Sequence, residues 1–285
     1  MAVTAEMVKA LRERTGAGVM ACKAALSACD GDLERAAEAL RKQGLAAAKK
    51  REGRRAAEGL VVAHVTPVGD RGALLELNCE TDFVARTEPF GRLAAALVEE
   101  ACRTGQVEAG RRIEEASGAI GERLVLRRFA AFAVAPGEGP GLVTAYIHGG
   151  GRVGVLLELG WSGTPKEPGG TAALAKDLAL QVAAMDPQWV RREDVPPALL
   201  DGERAILRAQ PDVQGKPPAV QDKIVEGRLG KFFAEACLLD QAFIKDEQRK
   251  TTVGELVRGT GAGLGVGVTV RRFCRYRLGD ASQGA

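Results

Sequence analysis

The chain has 285 residues, 46% of them hydrophobic, 27% charged and 4% aromatic, with a formal net charge of +3. Those proportions exclude a disordered or fibrous chain, leave length for one or two sizeable cores plus a small extra domain, and give little reason to expect a nucleic-acid partner. No run approaches the roughly 18 apolar residues of a membrane span, and the opening MAVTAEMVKALRERTG lacks the apolar stretch of a secretory signal, so a cytoplasmic protein is expected.

Residues 1–55 read as three short helices and a linker. Thr4 caps the first, which turns Val8 and Leu11 inward; the segment Thr15 to Gly18 breaks it. The second aligns Cys22, Leu26 and Cys29. Asp30-Gly31-Asp32 starts the third, whose Leu33, Ala36, Ala37 and Leu40 share a face, with Gly44 as its end or weak point. So small a unit is marginally stable alone and is expected to dock onto something. The following AAAKKREGRR is either a solvated helical tether that frays at Gly53 or a phosphate-contacting patch.

A pattern then occurs twice. Strand-like runs at 60–66 and 73–79 flank the turn Pro67 to Gly72, helices follow near 88–103 and 107–119, and a strand covers about 122–135. The second round has strands near 141–148 and 152–159, a helix near 170–185 and a last strand near 265–278. Leu126-Arg127-Arg128-Phe129 matches Val270-Arg271-Arg272-Phe273 in the two closing strands. An α+β fold is expected: a three-helix domain at 1–55, then a two-part core of β-β-α-β halves at 56–140 and 141–285. In each arginine pair, alternation is expected to send one side chain to each face, in a structural role. The second half carries an insertion over about 187–250. Its helices near 197–209 and 218–236 form a hairpin (about 187–236), lined by Leu199, Leu200, Ile206 and Leu207 on one arm and Val220, Ile224, Leu229 and Phe232 on the other.

The cysteines, at 22, 29, 79, 102, 237 and 274, contain no C-x-x-C, and the only histidines are His64 and His148. No metal site is expected, and the thiols should be free and mostly buried. Gly149 to Gly154 spells G-x-G-x-x-G, but a strand follows where dinucleotide binding needs a helix, so it reads as a hairpin turn. The glycine run 259–267 lacks the Lys-Ser/Thr ending of a phosphate loop. Nothing nominates a cofactor or a catalytic residue.

In Asn78-Cys79-Glu80-Thr81-Asp82-Phe83-Val84-Ala85 a strand ends at an acid–aromatic pair. Either Phe83 turns inward and Asp82 caps the next helix, or Phe83 projects as an anchor for a partner. Residue chemistry alone also leaves open a binding module that holds a protein or RNA through its N-terminal helices and basic linker, and an enzyme with a cysteine nucleophile.

Three blocks bear on that choice: LRERTGAGVMACKAAL (11–26); NCETDFVART (78–87); and HGGGRVGVL (148–156) with KIVEGRLGKFF (223–233) and TVGEL (252–256). They resemble the elongation factor Ts family, in order and over nearly the whole chain. The resemblance implies an N-terminal ubiquitin-associated-like domain, a two-part α+β core and a helical hairpin. It implies a guanine-nucleotide exchange factor, not an enzyme, that binds the GTPase elongation factor Tu and releases its GDP. By similarity, Phe83 is the wedge between two GTPase helices, Asp82 acts beside it, Thr81 and Val84 shape the turn, and Mg²⁺ is dislocated. His148 packs at the same helix pair, with Gly149 allowing close approach. Arg12, Val19 and Met20 form a second contact, and Phe243 with Ile244 a third. Val19 stands where longer relatives carry methionine, and Lys245 at an often apolar position. The last strand is followed closely by residues 280–285, so the C-terminal helix that some members dock on the partner is expected to be missing. No direct nucleic-acid or membrane contact is implied, and a homodimer or a 2:2 complex stays open.

Overall fold

The computed structural model describes residues 3–167 and 169–280; the expectation about the chain's end beyond Asp280 lies outside them. At the N-terminus, α1 (Ala5–Thr15) is capped by the Thr4 hydroxyl, which accepts the Met7 N–H at 3.3 Å. Then come α2 (Val19–Ala28) and α3 (Leu33–Lys49), the latter capped by Asp32, whose carboxylate accepts the N–H of Glu34 and Arg35 at 2.9 and 3.0 Å. Leu11, Cys22, Leu26, Ala36 and Leu40 meet in a small core.

The chain continues through β1 (Glu58–Val65), β2 (Arg71–Cys79), a single turn α4 (Asp82–Ala85), α5 (Glu88–Thr104), α6 (Gly110–Ile120) and β3 (Val125–Ala133). The second half holds β4 (Gly141–His148), β5 (Val153–Ser162), α7 (Gly170–Met185), the hairpin helices α8 (Pro197–Arg208), α9 (Pro211–Gln214) and α10 (Pro218–Ala236), then α11 (Val253–Leu264) and β6 (Gly267–Arg277). Each half is a three-stranded antiparallel sheet, in order β1-β2-β3 and β4-β5-β6. On the first, α5 lays Phe90, Ala94 and Leu97 over Ala73, Leu75 and Leu77; on the second, α7 lays Leu174, Leu178 and Val182 over Val155, Leu157 and Leu159. The free faces close on each other through Val61, Leu74, Val143 and Leu156. The central strands β2 and β5 are therefore covered on both sides, which is why they read as nearly continuous apolar runs.

The repeat extends to a shared irregularity. The pairing of β2 with β3 slips between Glu76 and Leu77, and that of β5 with β6 between Glu158 and Leu159, so Arg127 and Arg271 occupy matching bulges. A bulge interrupts the alternation expected of the arginine pairs: in the second half both Arg271 and Arg272 turn to Glu158, at 3.0 and 2.7 Å. In the first, Arg128 meets Glu76 at 2.8 Å while Arg127 is exposed. The outer arginines brace the two sheets reciprocally. Arg128 donates to the Arg277 carbonyl (3.0 Å) and lies over the Tyr276 ring; Arg272 donates to the Ala133 carbonyl (3.1 Å) and lies over the Phe132 ring.

Three expectations change. Gly44 does not end α3, because it faces Gly118 of α6: a Cβ on Gly118 would fall 2.7 Å from the Gly44 backbone. The small helical unit thus docks on its own core through a glycine–glycine approach. Gly118→Ala is expected to pry α3 from α6, and faster tryptic cleavage at residues 49–55 with α1–α3 still helical would record it. Second, the hairpin's interior differs from the lining expected: Val213 of α9, Val225 and Leu229 form its buried core with Leu200, Leu207, Ile224 and Phe233, whereas Leu199, Ile206 and Val220 face outward. Third, α11 has no counterpart in the expected elements, although Thr252 and Glu255 form the reciprocal cap that announces it.

Candidate functional site

At the end of β2 the chain turns sharply at Thr81 and makes the four-residue helix α4. The cap is Thr81, not Asp82 as in the inward alternative: its hydroxyl accepts the Val84 N–H at 3.3 Å, while Asp82 pairs with Arg86 at 2.9 Å. Val84 is half-buried against the first-half core and Ala85 is buried, so the turn is anchored from below. Phe83 points the other way and is 80% exposed, which rejects the inward alternative. A ring held outward on a capped, packed turn is displayed to solvent in a fixed orientation.

The support beneath it is a clasp of two chain segments. The Glu122 carboxylate accepts the N–H groups of Glu80 and Thr81, both at 3.0 Å, and the Thr81 hydroxyl at 2.6 Å. In return, the Glu80 carboxylate accepts the Arg123 N–H at 2.7 Å and pairs with Arg54 at 3.3 Å, while Arg123 reaches the Arg54 carbonyl. The Arg123 N–H and, less strongly, Arg54 hold the Glu80 carboxyl below its ordinary value. The folded state therefore favours the anion, and this contribution is complete above the ordinary carboxylate range and lost as pH falls through the lowered value. Two basic residues of the supposed tether are thus structural, since Arg51 also approaches the Ser117 carbonyl at 3.5 Å.

The other expected residues divide by exposure. Met20 (76%) and Val19 (50%) stand out at the start of α2, and Arg12 is exposed on α1. His148 is exposed at the end of β4, stacked near Tyr146, whose hydroxyl lies 3.1 Å from its Nδ1. Gly149, Gly150 and Gly151 follow with φ of +60°, +65° and +94°, and β5 comes next, so the G-x-G-x-x-G string is the expected hairpin turn. It also joins the two halves, since the Gly151 carbonyl accepts the Val61 N–H at 2.8 Å. Ile244 is exposed, but Phe243 is buried in the second-half core and presents no surface of its own. Lys245 pairs with Asp177 at 2.6 Å.

The family model described as "Elongation factor TS" matches residues 80–280. The chain is 47% identical to an elongation factor Ts of Symbiobacterium thermophilum, over 98% of this chain and 92% of that one. It is 41% identical to one of Aquifex aeolicus (98% and 99%) and 40% to one of Clostridium botulinum (98% and 93%). The chain belongs to the elongation factor Ts family. That membership makes it an elongation factor of protein biosynthesis.

The surroundings of three of the six thiols disfavour the thiolate that a nucleophile needs. Burial pushes Cys79 up to about 12, helped by the Glu122 charge, and raises Cys237 to about 11 and Cys274 to about 12. Iodoacetamide at neutral pH is expected to label these three slowly in folded protein and rapidly in denaturant, as read by peptide mass; fast native labelling of Cys79 would contradict this. Among the described residues no group of three or more His, Cys, Asp and Glu side chains could hold a metal ion, and no helix is long and apolar enough to cross a membrane. The elements that expectation missed are Glu122, Arg123 and Gly118. The signal available was local: Gly121 closes α6 with φ +90°, and the acid directly after it sits where the returning chain passes the end of β2.

Proposed function

We propose that this chain binds elongation factor Tu in its GDP form, dislocates the Mg²⁺ that holds the nucleotide, and releases GDP without making or breaking a bond. The carrying observation is Phe83, exposed on a turn that is capped by Thr81 and packed through Val84 and Ala85. Mg²⁺ demands near-octahedral geometry, so a small displacement of its surroundings weakens phosphate binding strongly. In this reading Phe83 wedges between two GTPase helices with Asp82 beside it, while His148 packs against the same pair, with Gly149 in a left-handed turn that leaves room for the approach. Arg12, Val19 and Met20, on an N-terminal module of ubiquitin-associated-like type, grip a second site. Ile244 takes the third, supported from below by Phe243. The working parts are residues 1–55, 56–140 and 141–285, acting in the cytoplasm with no cofactor of their own, no catalytic residue and no direct nucleic-acid or membrane contact.

The test is release of a fluorescent GDP from elongation factor Tu. Micromolar protein should accelerate it many-fold, and because the coupling of affinities is reciprocal, added GDP should weaken the complex by the factor by which the complex weakens GDP binding. Unchanged release would refute the reading.

A further inference from the structure

Resting on that reading, we propose that Glu122 is a positioning residue for exchange, holding the Phe83 turn in the form that meets the GTPase. The half-buried carboxylate of Glu122 stands directly after α6 and accepts three hydrogen bonds from the two residues that enter the turn. The bond from the Thr81 hydroxyl matters most for Phe83. A hydroxyl that donates to Glu122 at 2.6 Å has its proton committed and its lone pairs free, so it accepts the Val84 N–H and caps α4. Without Glu122 that hydroxyl is free to rotate, the N–H groups of Glu80 and Thr81 lose their acceptor, and the turn gains other conformations. The other ties at this level do not hold that hydroxyl: the Cys79 Sγ–H directed at the Thr81 carbonyl (3.1 Å) is weak, the Ala85 N–H on the same carbonyl (3.3 Å) belongs to the helical turn itself, and the Arg123 N–H (2.7 Å) fixes only the Glu80 side chain.

The second half provides an internal control. Counting outward from the matching bulges, Ser162, Gly163, Val266 and Gly267 stand where Glu80, Thr81, Glu122 and Arg123 stand. The structural part of the clasp recurs, since the Gly267 N–H donates to Ser162 Oγ at 3.1 Å as the Arg123 N–H donates to Glu80. The carboxylate does not recur: its place is taken by Val266, a buried apolar side chain. A sheet-to-helix connection of this fold therefore closes without such an acid. Glu122 is present only in the half that bears the exposed ring.

The test is a double-mutant cycle with Glu122→Gln and Phe83→Ala, read as kcat and KM for GDP release from elongation factor Tu. Glutamine keeps the size but has one acceptor oxygen: set on the Glu80 and Thr81 N–H groups, which share one carboxylate oxygen, it leaves its N–H₂ facing the Thr81 hydroxyl, which can then no longer donate there. Glu122→Gln is expected to lower kcat about ten-fold while KM moves little, because the remaining contacts are untouched. In the Phe83→Ala background it is expected to cost nothing further. Glu122→Asp, which keeps the charge, should recover part of the rate. Amide hydrogen exchange at Glu80, Thr81 and Val84 should quicken in Glu122→Gln while the β2 interior stays protected. A full wild-type rate in Glu122→Gln, or an equal loss with and without Phe83, overturns the positioning role alone. Wild-type protein that leaves GDP release unchanged overturns the exchange reading first, and Glu122's part in exchange with it.

Discussion

Phe83→Ala is expected to slow catalysed GDP release ten- to a hundred-fold while leaving the protein's unfolding temperature unchanged. The magnitude follows from the ring: fully burying a phenylalanine side chain in a partner is worth about 1.5–3 kcal/mol, and each 1.4 kcal/mol is a factor of ten. The insensitivity of stability follows from exposure, because a side chain that is 80% accessible contributes almost nothing to its own core. The measurement is stopped-flow loss of fluorescent GDP, with thermal unfolding alongside. A variant that exchanges normally would show that the ring is not the wedge. One that melts early would show that it was packed at home. The expected loss is also bounded from above. One ring cannot supply all of the energy needed to release a tightly held nucleotide, so in the proposed mode further contacts, at Met20, His148 and Ile244, are coupled to the same displacement.

That division of labour bears on what a sequence reveals. The apolar periods placed α5, α7, α8 and α10 and all six strands within a few residues, because burial against a sheet or a partner helix leaves a repeating mark. By residue chemistry alone the Phe83 turn was legible only as an unusual acid–aromatic pair; period and spacing could not say which way Phe83 points, since Ala85 and Val84 provide enough apolar surface to anchor the turn without it, and it was the resemblance that turned it outward. Glu122 was legible only as an acid following Gly121, with nothing to say what it holds. Its partners are forty-odd residues away and are mostly backbone N–H groups, which leave no trace in side-chain chemistry. Gly44 misled for a related reason: a glycine that admits another helix looks the same in sequence as one that ends its own. Of the arginines read as structural, Arg128, Arg271 and Arg272 are and the exposed Arg127 is not, and the second pair does not alternate, because a bulge adds a residue without altering the apolar pattern around it.

Those arginines carry the largest expected effect on stability. Glu158 is buried and accepts Arg271 and Arg272 together. Glu158→Ala leaves Arg271 with the carbonyls of residues 138–140 and a long pair to the exposed Glu138 carboxylate (3.8 Å), and strips Arg272 of its anion. Removing one member of a buried pair typically costs about 3–5 kcal/mol, a large fraction of a domain's stability. Part of that cost is structural in a second sense: Arg272, held by Glu158, is the residue that reaches across to the Ala133 carbonyl and the Phe132 ring, so the variant should also loosen the joint between the two sheets. The bulge supplies the control. Arg271 and Arg127 occupy matching positions, but Arg271 is enclosed and bonded while Arg127 is exposed. Urea unfolding should therefore show Arg271→Ala strongly destabilised and Arg127→Ala within about 0.5 kcal/mol of wild type. Equal losses at the two sites would mean that the bulge itself, rather than the ion pair it redirects, is what the fold requires of an arginine there.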